Sequence, residues 1–257
     1  MNESLHRLNA REISIWCTRL TASAGVVTKL REILSEDEKA RANAFHFEKH
    51  NRYFVISRGL LRTILGRYLG IRPEYVRFAY GPQGKPFLEP SLGHFELQFN
   101  LAHSEDLVVY AFSLGRMLGV DVEWIREISD IEEIAKQFFS PLENTDLLRA
   151  PVSQRREAFF NCWTRKEAYL KAVGTGLSVP LNRFRVSILP GQPVRFLDLE
   201  GDTHPISSWT LVHLTPAEQA VGAIAVPDPC CRIVQLQYSD AEECLASFED
   251  SKDSFNR

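Results

Sequence analysis

Apolar and polar residues alternate along EISIWCTRL, residues 12–20, the period-two pattern of a half-buried strand. From Ser35 the period lengthens: Ser35 and Glu38 stand at capping-box spacing and open a helix. Helical texture then continues to Leu69, with a break near His50. Its second part, NRYFVISRGLLRTILGRYLG, sets Arg52, Arg58, Arg62 and Arg67 around an apolar stripe, which predicts a solvated basic face with one or two positions left to hold an anion. After Pro73 alternation returns in VRFAY, the turn GPQGKP (Gly81–Pro86), HFELQFNLAHS (His94–Ser104) and LVVYAFSLG (Leu107–Gly115). Phe95, Leu97, Phe99 and Leu101 share one face, and in MLGVDVEW the positions Val120 and Val122 point one way while Asp121 and Glu123 point the other. The pattern predicts a sheet with one buried face.

Helical patterns resume at IEEIAKQFF and PLENTDLL, and a further helix, capped by Ser153, ends at Gly174 and Gly176. Strand-like segments follow in FRVSIL, PVRFLDL, SSWTLVHL and QAVGAIAV. This order predicts an α+β fold of two halves, residues 1–125 and 126–240, meeting near residues 124–130, with 241–257 a polar, partly disordered tail.

At 257 residues, 44% hydrophobic and 25% charged, the chain buries a substantial core. A net charge of -3 speaks against work by broad phosphate neutralisation, so no nucleic-acid partner is expected and any anion is met locally. The start shows no signal peptide and the longest apolar run, AVGAIAV, is too short to span a bilayer, so a soluble cytoplasmic protein without a membrane partner is expected. Cys17, Cys162, Cys230, Cys231 and Cys244 form no C-x-x-C pair and read as reduced thiols.

In WTRKEAYLKAVGTGL (Trp163–Leu177) the acid Glu167 stands four residues before Lys171. That is a surface ion pair worth roughly 0.2–0.5 kcal/mol, or Glu167 turns inward beside Trp163 and serves a site. Asp121 and Glu123 lie on one strand face, roughly 6.6 Å apart along the backbone. They either converge on one hard cation, as magnesium sites do, or both face water. GPQGKP lacks Walker spacing and reads alone as a hairpin turn, and His103 alone as a structural histidine.

Taken in order, GPQGKP, FNLAHS (Phe99–Ser104), GVDVE (Gly119–Glu123) and FFNCWTRKEAYLKAVGTGLSVPL (Phe159–Leu181) resemble the Sfp-type 4'-phosphopantetheinyl transferases over about residues 35–190. The resemblance implies two pseudo-symmetric halves with the active site at their interface, a monomer, and transfer of 4'-phosphopantetheine from coenzyme A to a serine of an acyl or peptidyl carrier protein, releasing 3',5'-ADP. It also implies Mg2+, with Mn2+ as the alternative, on Asp121, Glu123 and Glu167. Glu167 and Lys171 become the catalytic pair, Glu167 taking the serine proton and Lys171 meeting the leaving phosphate. Asp121, Lys171, Lys85 and His103 become coenzyme contacts. Ala102 stands where many relatives have serine, so only backbone contact is implied there. Arg41 and Arg52 are the candidates for the 3'-phosphate, with Lys39 and Arg58 behind them. A carrier is expected to dock near the helix after Ile131, where Phe138 and Phe139 are either surface anchors or core. The competing readings are a non-catalytic module binding coenzyme A or a carrier, and a metal-dependent nuclease or phosphodiesterase, which calls for a basic groove.

Overall fold

The computed structural model of the protein describes residues 8–94, 96–174, 179–199 and 205–249. Strand β1 (Glu12–Arg19) lies antiparallel to β5 (Leu107–Leu114), which pairs on its other side with β4 (Leu97–Ser104). Parallel to β1 runs β11 (Arg232–Gln237), giving the order β11-β1-β5-β4. A second sheet holds β6 (Gly119–Trp124), β10 (Ala220–Val226) and β9 (Thr210–Leu214) in the order β6-β10-β9, and β7 (Phe184–Val186) pairs separately with β8 (Phe196–Leu199).

Period-two patterning sends alternate side chains to two different cores. Val108, Tyr110 and Phe112 of β5 pack with Trp16 under α3 (Glu48–Leu69), which is flanked by α1 (Ala24–Glu32) and α7 (Ala241–Glu249). Val109 and Ala111 point the opposite way and meet Ile13, Ile15, Val120, Val122 and Ile224 between the sheets. The far face of the second sheet, Val221, Ala223 and Ala225, packs on α6 (Val152–Val173), alongside which run α4 (Ile131–Phe138) and α5 (Pro141–Arg149). The architecture is α+β in four layers: helices, sheet, sheet, helices. The sheet read as having one buried face is therefore covered on both.

Other expectations are modified in the same way. The Ser35 capping box forms, its backbone N–H donating to Glu38, and α2 (Glu36–Asn43) follows. The helical break falls at residues 44–47, before His50. Arg58 and Arg62 are buried rather than solvated. Arg62 can be buried because Glu38 pairs with its Nε at 2.6 Å and the carbonyls of Pro73 and Val76 accept from its Nη1. Ser153 lies inside α6, whose N-cap position is Pro151. Gly174 ends that helix in the left-handed region at φ 74°, where a glycine has no Cβ to clash. Gly176 and Phe95 lie outside the described residues. The stretch read as the start of a polar tail carries α7, anchored by buried Ala241, Cys244 and Phe248.

The two sheets do not divide the chain at residue 125. β6, from the first half, completes the second sheet, and β11, from the far end, completes the first. Among the described residues no helix is long and apolar enough to cross a membrane.

Candidate active site

Gly119 opens β6 where the strand crosses α6. A Cβ on it would lie 2.8 Å from the Lys171 carbonyl carbon and closer still to the Ala168 oxygen and Ala172 nitrogen. Only glycine lets strand and helix backbones approach this far. The consequence is chemical: Asp121 and Glu123, on the face of β6 opposite Val120 and Val122, are carried up to the turn of α6 that holds Glu167 and Lys171.

Asp121 is 7% exposed and pairs through Oδ1 with the Lys171 ammonium at 2.7 Å, while its Oδ2 is buried without a hydrogen-bond partner. Burial pushes its pKa up to about 6, outweighing the opposing pull of Lys171, and Glu123 and Glu167 add repulsion. Glu167 is likewise raised, first by burial and then by Glu123, with Lys171 acting against them. Lys171 makes its ion pair with Asp121, and the Glu167 carboxyl, attracted by Lys171, also feels the β6 acids. Among the described residues, no group of three His, Cys, Asp or Glu side chains is arranged to hold a metal ion as the protein stands. Asp121 is turned to Lys171, and Glu123 to the Ser104 hydroxyl at 2.6 Å.

Lys85 ends the turn of the hairpin formed by β2 (Phe78–Tyr80) and β3 (Pro86–Leu88). Its ammonium donates to the Lys171 carbonyl at 2.6 Å and the Leu118 carbonyl at 3.3 Å, and burial, with repulsion from Lys171, lowers its pKa to about 8. The hairpin is thus tied to the same crossing of β6 and α6.

A cavity of about 360 Å³ lies beside α3, with Arg41, His50, Phe54, Arg58 and His103 among its lining. Two guanidiniums approach the Phe54 ring, Arg41 at 5.5 Å and Arg58 at 5.7 Å, close enough for cation–π attraction. Arg58 Nη1 is buried without a hydrogen-bond partner. Arg52 does not line this cavity; it borders a neighbouring one with Lys49 and Tyr53 and donates to the Ala22 carbonyl. Lys39 is occupied at the surface by Glu36 at 2.9 Å. Ala102 packs between the sheets, because alternation along β4 sends His103 and Ala102 to opposite faces.

Phe139 is 2% exposed and packs on Phe159 in the core around α6, whereas Phe138, partly buried, lies against that core and meets Trp163 edge-on at 5.7 Å. Lys166, next to Glu167, is wholly buried against Glu143 at 2.9 Å and donates to the carbonyls of Leu181 and Phe184. It anchors α6 in the C-terminal core. Gly119, Ser104 and Lys166 fall within GVDVE, FNLAHS and WTRKEAYLK, and such motifs carry their spacing without their partners.

Two family models match the chain: "4'-phosphopantetheinyl transferase superfamily" over residues 117–225 and "4'-phosphopantetheinyl transferase, N-terminal" over residues 21–114. The 4'-phosphopantetheinyl transferase HetI of Nostoc sp. is 40% identical over 215 residues, covering 84% of this chain and 87% of that one. The 4'-phosphopantetheinyl transferase Sfp of Bacillus subtilis is 30% identical, with coverage of 62% and 69%. The 4'-phosphopantetheinyl transferase gsp of Aneurinibacillus migulanus is 39% identical over 49% of each chain. With its acids and lysines gathered at the crossing of β6 and α6, and with these relatives, the chain belongs to the Sfp-type 4'-phosphopantetheinyl transferases.

Proposed function

We propose that the protein moves the 4'-phosphopantetheine arm of coenzyme A onto a serine of an acyl or peptidyl carrier protein and releases 3',5'-ADP. The observation that carries this is the crossing at Gly119, which brings three carboxylates and Lys171 into one field while a buried oxygen, Asp121 Oδ2, lacks a partner. A buried unpaired carboxylate oxygen is costly. Hard oxygen donors of this kind, completed by water and phosphate oxygens, suit magnesium, with manganese as an alternative. Asp121, Glu123 and Glu167 would hold the ion, and when bound it supplies positive charge against the pyrophosphate.

Phosphoryl transfer is mostly positioning and charge neutralisation. In this reading the nucleotide end of coenzyme A occupies the cavity beside α3, where Arg41 and Arg58 offer guanidinium groups to the 3'-phosphate and His103 a contact to the adjoining phosphates. Arg52, in the neighbouring cavity, reaches the same phosphate only by giving up Ala22. Lys85 turns from the backbone carbonyls toward the pyrophosphate. Glu167, half-buried and with raised proton affinity, accepts the proton of the carrier serine. Lys171 exchanges Asp121 for the leaving phosphate.

Intact-mass spectrometry tests the reading: an apo carrier protein is incubated with the protein, coenzyme A and magnesium, beside Glu167→Gln and a metal-free control. A gain of one phosphopantetheine that disappears in both controls is the expected result. Absence of any gain across fatty-acid, polyketide and peptide carriers overturns it.

A further inference from the structure

β4 is an edge strand of the first sheet and β6 an edge strand of the second, and no backbone ladder joins them. Two side chains of β4 bridge the gap instead. Asn100 Oδ1 accepts the Val120 N–H at 2.8 Å, and Ser104 Oγ accepts the Trp124 N–H at 3.3 Å. The acceptors stand four residues apart on one strand and the donors four apart on the other, so the seam runs in register along the length that carries Asp121 and Glu123. Both bridging side chains are nearly sealed, Asn100 4% and Ser104 6% exposed. Ser104 alone does something more: its hydroxyl donates to Glu123 Oε2 at 2.6 Å. A hydroxyl both accepts and donates, so one small side chain can close the seam and orient a carboxylate at once.

We propose that Ser104 is a positioning residue which fixes the Glu123 carboxylate for cation binding, whereas Asn100 only joins the sheets. The inference rests on the cation reading above. Groups that orient a ligand carboxylate commonly govern metal affinity by about tenfold or more.

The test is calorimetric titration of Mn2+ into the full-length protein with coenzyme A present, against a protein-free blank, paired with metal-free melting curves. Ser104→Ala is expected to weaken Mn2+ binding by about tenfold. Ser104→Thr, which keeps the hydroxyl, should stay near the wild type. Asn100→Ala opens the same seam without touching Glu123; it should lower the melting temperature and leave Mn2+ affinity nearly unchanged. Unchanged affinity in Ser104→Ala, or an equal loss in Asn100→Ala, overturns the role given to Ser104. A wild type that takes up no Mn2+ overturns the cation reading itself.

Discussion

Asp121 is the residue at which stability and chemistry oppose each other. Its carboxyl is raised from an ordinary 3.8 to about 6, so between those values the folded protein binds more protons than the unfolded one, and stability must fall as pH rises through that window. The difference corresponds to roughly 3 kcal/mol at neutral pH. Asp121→Asn removes the titrating group. Urea denaturation of the metal-free variant should therefore show a flatter stability profile from pH 4 to 7 than the wild type, while phosphopantetheine transfer is lost. A parallel profile in the two proteins would place the burden elsewhere. Of the single residues, Glu167 and Lys171 stood out as candidates because a known motif surrounds them. Arg58 and Arg62 were not, since a helical wheel reveals a basic face but not that Glu38, two backbone carbonyls and aromatic rings close over it.

At the scale of elements, the site is a contact between one strand and one helix. Gly119→Ala places a methyl against backbone atoms that cannot rotate away, and the strain should cost about 3 kcal/mol or more. Chemical denaturation measures that loss, and the folded fraction should turn over poorly because both β6 acids shift away from α6. The helix is held from its other side by Lys166 and Glu143, neither exposed to solvent. Lys166→Met strands the Glu143 carboxylate and should destabilise by about 3–5 kcal/mol. Joint replacement with Glu143→Gln should recover much of it, since the unpaired charge is gone. Alternation in GVDVE identified which side chains share a face; it could not identify α6 as what that face meets. The same limit hid the seam: FNLAHS displays Asn100 and Ser104 on one side of β4, and only the tertiary structure supplies Val120, Glu123 and Trp124 as their partners.

At the scale of the molecule, strand alternation and helix caps announced an α+β fold, and most interior strands were read within a few residues. The closing strand was missed because RIVQLQ is short and half-exposed, and its partner lies more than 200 residues earlier in the chain. Removing residues 227–257 should leave β1 with an unpaired edge and Trp16 without its stacking partners Tyr238 and Phe248. Circular dichroism and limited proteolysis should report a chain that does not fold cooperatively. The interleaved sheets also set an order on synthesis. When a ribosome has made Lys171, every acid and lysine of the site already exists, but β10, the strand that seats β6, is still unmade, and β11 later still. On the proposed function, a nascent chain therefore gains transferase activity only after β10 and β11 have emerged, well after its last candidate catalytic residue.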